Sequence, residues 1–338
     1  MNRRNLLPDV LKGVAVILMI QVHINEQFAN LEFFNSMNGK ISLFLGSFPA
    51  APLFMLIMGW YAFRSKPLKT EIWRAIKLLC TGLLLNIALN ANLFIHTVQG
   101  SIQVDRLAYL FGVDILFLAG LSLLTVAFLK RLLHDKWWAL LLVAIAIVTI
   151  TPFVGNDIPA SGVWRYLRPF IADNFAWWSY FPLFPWLGYV LAGMAAAAVS
   201  IQNPQIWNYT EKLAFKTAII IIFLAGAWYG WQISTNLQRY YHHNLLYFGW
   251  ALAAIGASVY CWQYLIKTLP GISSLSWVGR NVTTIYIVQW IIIGNLSTWI
   301  YRTQSGAALI LWFMVITLIT MAVVNLINKP RNQQEEII

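Results

Sequence analysis

The sequence predicts an all-α, polytopic membrane protein: a bundle of about ten transmembrane helices with the N- and C-termini on the cytoplasmic side. Three observations predict it. Only 10% of the 338 residues are charged, against about a quarter in an ordinary soluble domain. The chain is 59% hydrophobic, and 20 Phe, 17 Trp and 14 Tyr carry more apolar surface than a soluble interior of this size can hide. The apolar residues also come in windows of roughly twenty, the length that crosses a bilayer's hydrocarbon core. A mean hydropathy of +0.66 excludes disordered and collagen-like chains.

Taken in order, the windows place spans at 10–28, 48–63, 75–95, 109–129, 137–154, 181–200, 217–233, 245–266, 282–300 and 307–327. The first carries Asp9, Lys12 and His23, so it reads as a retained span and not as a cleaved signal. Gly46, Pro49 and Pro52 mark the second as broken or tilted. Between the fifth and sixth lies the longest non-apolar stretch, 155–180, with Trp164, Arg165, Arg168, Trp177, Trp178 and Tyr180. It reads as an interfacial aromatic belt or as a lid over a site on the far side. A short polar tail, 328–338, follows the tenth span and reads as disordered. There is no convincing internal repeat; Pro52 to Gly59 and Pro185 to Gly193 only faintly echo each other. The whole is one integral-membrane domain.

The net charge of +11 invites a nucleic-acid reading, but the basic residues sit in short clusters between apolar runs. About 17 of the 23 lysines and arginines fall on one side of a ten-span topology, which makes that side cytoplasmic. Nucleic acid is therefore excluded as a partner. Cys80 and Cys261 both lie in apolar segments, so neither a disulfide framework nor a metal site is expected. A short chain of this kind suits a bacterial inner (plasma) membrane.

Ionisable residues at membrane depth are costly and mark function. At about 100° per residue, Asp9, Lys12, His23 and Glu26 share one stripe of the first helix. His23 stands about 21 Å beyond Asp9, fourteen steps of roughly 1.5 Å. An imidazole there can serve as general base, with Glu26, one turn on, fixing its tautomer; equally, it can be a packing histidine bonded to a neighbouring helix. Asp114 reads first as one half of an interhelical ion pair. Asn86 and Asn90, one turn apart, would project together as interhelical glue or as a channel lining, with Asn92 nearby. Arg74 and Lys77 open the third span, where they would hold a ligand's phosphates or simply anchor the helix. Tyr240, Tyr241, His242 and His243 read as interface residues or contacts to a sugar face, His96 as a span-end residue, and His134 as a solvated loop residue.

Asp9, Leu11, Lys12 and Gly13, followed by His23, resemble the opening signature of the transmembrane acyltransferase superfamily, which reads Asp-x-Leu-Arg-Gly/Ala, an apolar run, then histidine. More of the chain resembles one branch, the heparan-alpha-glucosaminide N-acetyltransferase-like proteins and their bacterial relatives. The pieces are Pro49 to Phe54 with Gly59, Ile72 to Arg74 with Gly82 and Asn86, Pro182 to Gly188, and Gly279, Arg280 and Asn281 with Tyr286. The resemblance implies a multi-pass enzyme that takes an acyl group, expected to be acetyl, from acyl-CoA on the cytoplasmic side. The acceptor, a sugar amine or hydroxyl, is presented from the other side. It makes His23 the general base and Lys12, Arg74, Lys77 and Arg280 the ligands of acetyl-CoA; no metal is implied. Acyl-CoA, a carbohydrate acceptor and membrane lipid are then the partners, with homo-oligomerisation left open. Two positions depart from the pattern. Lys12 replaces arginine, losing the bidentate fork, and Gln289 stands where many relatives carry histidine.

The alternative from a different class is a transporter or flippase for a small molecule or lipid-linked sugar, whose path the same polar residues would line. It predicts flux without any dependence on CoA.

Overall fold

The computed structural model describes residues 6–64, 66–133, 136–154 and 161–335. His134 and the 155–160 part of the long loop lie outside them. In chain order the helices begin with α1 (Leu7–Phe28), α2 (Leu31–Asn35), α3 (Met37–Ser47), α4 (Ala50–Ala62), α5 (Leu68–Leu89) and α6 (Ala91–Val98). The middle of the chain forms α7 (Arg106–Leu110), α8 (Ile115–Leu132), α9 (Trp137–Ile150), α10 (Trp164–Leu167), α11 (Leu183–Gln202) and α12 (Ile206–Thr210). The remainder comprises α13 (Leu213–Ala225), α14 (Ala227–Ser234), α15 (Leu237–Tyr241), α16 (Leu245–Thr268), α17 (Leu275–Arg280), α18 (Val282–Ile300) and α19 (Gly306–Glu335). No strand occurs among the described residues; a single β-bridge joins Ala29 to Gln304.

Among the described residues, eight helical stretches are long and apolar enough to cross a membrane, and nine if a bent pair counts as one. The protein is thus multi-pass, with two differences from the expected ten spans. Expected span 137–154 is a 17-residue helix, Trp137–Phe153, which at about 1.5 Å per residue reaches roughly 25 Å and falls short of a 30 Å core. Expected span 217–233 is α13 and α14, bent by 53° at Gly226. The bend falls at a glycine packed against Trp250, whose ring occupies the space a side chain at Gly226 would need. The Trp250 indole N–H donates to the Phe223 carbonyl at 3.0 Å, repairing a hydrogen bond that the break costs the helix.

The second span starts earlier than expected. Ser36 caps α3, its hydroxyl accepting from Gly39 N–H at 3.2 Å, and α3 and α4 run on as one apolar stretch, Met37–Ala62, past Pro49. The polar tail is also more ordered than its composition suggests, since α19 continues to Glu335.

The chain divides into two compact units. The first holds the residues up to Ala50, Ile87–Val104, and everything from Trp262 onward. Its packing centre is α1 against α17, and the contact is made by main chain. A methyl group at Gly13 would overlap the Leu275 carbonyl, and one at Gly279 would overlap the carbonyl of Asp9. Small residues at such a crossing let backbones touch, which is how helices gain van der Waals contact where apolar burial gives no advantage over lipid. The second unit holds Ala51–Asn86 and Asp105–Cys261. Here α11 is the most enclosed span, with Trp186, Tyr189, Val190 and Leu191 fully buried. The faint echo in sequence has a spatial meaning: Gly59 lies on the backbone of Val190, and Gly193 on that of Leu56.

Gly279→Ala should therefore lower stability by roughly 1–3 kcal/mol through overpacking. Gly249→Ala, in a helix interior with open space around the new methyl, should be neutral or stabilising. Thermal melts in detergent compare the two; equal melting temperatures would contradict the packing assigned to α1 and α17.

Candidate functional site

In the first unit, α1 carries Asp9, Lys12, His23 and Glu26 on one stripe, as its periodicity requires. At the N-terminal end, Lys12 Nζ lies 2.9 Å from Asp9 Oδ1, and only 4% of the Asp9 side chain is exposed. The charge of Lys12 is thus already balanced within its own helix. Arg280 closes α17 and is exposed, directly after the glycine that abuts the Asp9 main chain. Asp9, Lys12 and Arg280 therefore belong to the same end of this unit.

Eleven residues further along α1, His23 is half-buried against α18. Its Nδ1 lies 3.2 Å from Oε1 and 3.0 Å from Nε2 of Gln289, a side chain with no exposure at all. Gln289 Nε2 also donates to the Tyr286 carbonyl at 3.3 Å. Two rings flank the imidazole: Trp290, tilted, with centroids 4.1 Å apart, and Tyr286, edge-on at 6.3 Å. Among the described residues His23 Nε2 has no hydrogen-bond partner.

Glu26 is half-buried one turn beyond, and no hydrogen bond joins it to His23 among the described residues. The partner of Nδ1 is Gln289 instead, because α18 brings its amide to that nitrogen while Glu26 comes under the charge of Arg302. Arg302 is a site neighbour that sequence reading missed. Its backbone adopts φ +58°, a left-handed conformation unusual for a residue with a side chain. Its N–H donates to the Gln27 carbonyl at 3.0 Å, and its guanidinium lies 4.1 Å over the Phe34 ring. The sequence holds no signal for it beyond a lone cation in a loop.

The asparagines act as glue. Asn92 N–H donates to Asn295 Oδ1 at 2.9 Å, and Asn295 Nδ2 donates to the Ala88 carbonyl at 2.8 Å. Asn90 is buried in the turn that follows α5, so it does not continue the helix face of Asn86. In the second unit, Asn86 Nδ2 donates to the carbonyls of Leu110 and Gly112 at 2.9 and 2.8 Å. Asp114 is an N-cap: Oδ1 accepts from the N–H groups of Leu116 and Phe117, both at 3.0 Å. Because α8 begins at Ile115, the carboxylate stands at a helix start and not mid-span, and it takes the capping role there.

Arg74 and Lys77 are exposed on α5. Arg74 lines a cleft together with Arg64, Glu71, Ala62, Leu123, Val126 and Ala127. Both carboxylate oxygens of Glu71 are taken, Oε1 by Lys130 and Oε2 by Arg131, the latter at 2.9 Å. Lys77 does not line this cleft. No three His, Cys, Asp or Glu side chains gather as a metal ligand set among the described residues.

Residues 4–229 match the family model described as heparan-alpha-glucosaminide N-acetyltransferase, catalytic. The chain belongs to this family. It is accordingly a multi-pass membrane protein of an acetyltransferase family, and the matched region contains His23, Glu26, Lys12, Arg74 and Lys77. Arg280 and Gln289 lie beyond that region, so the pairing of Gln289 with His23 is information from the fold. Neither a curated protein nor a solved structure matches the chain.

The other histidine cluster is structural. His243 is 2% exposed; its Nδ1–H donates to the Tyr240 carbonyl at 2.8 Å, and Nε2 accepts from the Tyr189 hydroxyl at 3.0 Å. Trp186 and Tyr247 pack against its ring. The interface or sugar-contact role expected of it is replaced by a core role, since both nitrogens are satisfied internally. The long loop is likewise anchored where described. Trp178 is 5% exposed, Val113 N–H donates to its carbonyl at 2.8 Å, and Arg165 pairs with Asp105 at 3.1 Å. Trp164 and Trp177 remain exposed.

Burial pushes His243 down to about 3 and His242 to about 4, so both are neutral in the folded protein at neutral pH. The unfolded chain takes up those protons below about pH 6.5, the ordinary imidazole value, and the folded chain does not. Stability is thus complete above that pH and lost as pH falls toward 4, by up to about 1.4 kcal/mol per pH unit for each histidine. Melts between pH 7.5 and 5 should show this slope, reduced in His243→Gln. An unchanged slope in the variant would refute the assignment.

Proposed function

We propose that the protein transfers an acetyl group from acetyl-CoA to a sugar amine or hydroxyl, with His23 as the general base. The observation that carries this reading is the environment of His23: one ring nitrogen is held by a buried amide, the other is unpartnered, and two aromatic rings fix the ring plane. A base must keep a lone pair on the nitrogen that meets substrate. Gln289 supplies that condition when Oε1 accepts from Nδ1–H, because its Nε2 is turned to the Tyr286 carbonyl, which only an N–H can satisfy.

In the reaction His23 Nε2 removes the proton of the acceptor N–H or O–H as that atom attacks the thioester carbonyl. The carbon–sulfur bond breaks, the acetyl group stays with the acceptor, and the departing thiolate takes up the proton that His23 removed, which restores the neutral base. Trp290 and Tyr286 restrict water around the imidazole. Glu26, under the charge of Arg302, belongs to the acceptor end of α1. Asp9 holds Lys12 in place at the opposite end, about 16 Å from His23 by eleven helical steps, where Lys12 and Arg280 meet the donor. Arg74 and Lys77, in the second unit, are proposed separately as candidates for donor phosphates. The excess of basic residues on one side orients that donor end toward the cytoplasm of a cell whose inner (plasma) membrane holds the protein.

The test uses protein in lipid nanodiscs, labelled acetyl-CoA and a glucosamine-terminated acceptor. His23→Ala should lower kcat by at least about 100-fold, in the range for loss of a general base, while the Kd for acetyl-CoA changes little. Undiminished turnover would remove His23 from the chemistry. Gln289→Leu should cost roughly 10–100-fold in kcat, the scale for residues that orient a catalytic histidine, with KM nearly unchanged. Nitrogen-15 spectra should show the His23 proton on Nδ1, and a proton on Nε2 would contradict the assigned tautomer.

A further inference from the structure

The second unit contains an arrangement of charge of which the acetyl-transfer reading uses only Arg74. Arg64 and Arg74 line one cleft, and Glu71 is the carboxylate in its wall. In the sequence no other acidic residue occurs between Glu32 and Asp105. Glu71 cannot compensate the two arginines, because Lys130 and Arg131 already occupy its two oxygens. Among the described residues neither Arg64 nor Arg74 has an ion pair or a hydrogen bond. The same two cations that saturate Glu71 also fix the chain around Arg64. Lys130 Nζ donates to the Ala62 carbonyl at 3.3 Å, and an Arg131 guanidinium nitrogen donates to the Lys66 carbonyl at 3.2 Å. Arg64 lies between these anchored carbonyls, and Arg74 sits one turn after Glu71 on α5. Two forked donors are therefore presented to one cleft from pinned backbone, with their nearest carboxylate neutralised.

From this geometry we infer that the cleft is a phosphate-ester site, with Arg64 and Arg74 as its ligands and the Glu71, Lys130 and Arg131 cluster as its support. Guanidinium groups match phosphate oxygens bidentately, which gives the site preference over simple anions. A phosphate ester reaches it from one of two sources: the nucleotide of the acyl donor, in which case the inference rests on the function proposed above, or the headgroup of an anionic lipid.

The experiment takes the full chain in phosphatidylcholine nanodiscs, with coenzyme A as one probe and phosphatidylglycerol as the other. Coenzyme A binding is followed by calorimetry and phosphatidylglycerol retention by native mass spectrometry. The double variant Arg64→Gln, Arg74→Gln should weaken at least one probe by tenfold or more, each single variant by less, and Lys69→Gln, outside the cleft, by under twofold. Loss of coenzyme A alone assigns the site to the donor, and loss of phosphatidylglycerol alone to the headgroup. If the protein binds no coenzyme A yet loses phosphatidylglycerol in the double variant, the site stands and the donor reading falls. Unchanged binding of both probes, or wild-type protein that binds neither, overturns the inference. Melting temperatures report folding. Should the glutamine variants melt early, Arg64→Lys, which keeps the charge and loses the fork, replaces them with the same expected direction.

Discussion

A hydrocarbon solvent offers no hydrogen bonds, so each polar atom at membrane depth must find its partner within the protein. That constraint accounts for most of what the polar side chains of this chain do. Asn86 answers the carbonyls of Leu110 and Gly112 where α7 gives way to α8. Asn295 joins the segment around Ala88 and Asn92 to α18. Trp250 answers a carbonyl released by the bend at Gly226. His243 uses both nitrogens inside an aromatic shell. His23 differs from His243: among the described residues one of its ring nitrogens has no partner, while the other is bonded to a fully buried amide.

The register of α1 depends on close approach. With glycine at 13 and 279, main chain meets main chain, and a side chain at either position would push α17 away. Because α17 leads directly into α18 at Asn281, this contact also sets where Gln289 falls along α1. A packing feature near one end of the helix thereby controls the geometry of the imidazole fourteen residues beyond Asp9. The glutamine itself cannot exchange protons. In the role assigned to it, an amide orients the base and leaves proton transfer to a single ring.

Cations in this protein are divided by their company. Lys12 is matched by Asp9, while Lys130 and Arg131 are matched by Glu71. Arg302 lies over an aromatic face. Arg64 and Arg74 lack such company among the described residues, a distinction that residue counts on either side of the membrane do not reveal.

Composition and periodicity alone determined the helical, multi-pass class, because the windows of apolar residues and the sparse charge admit no other solvent. They also located the stripe from Asp9 to Glu26, since a helix period is a local property of the chain. The short opening signature and the later glycine motifs pointed to the family. Tertiary structure decided the partners. Asp114 became a cap once the start of α8 was known, and the expected tie between Glu26 and His23 passed to Gln289, 266 residues away. Contacts at that separation depend on which helices pack and in what register, and no local pattern encodes either.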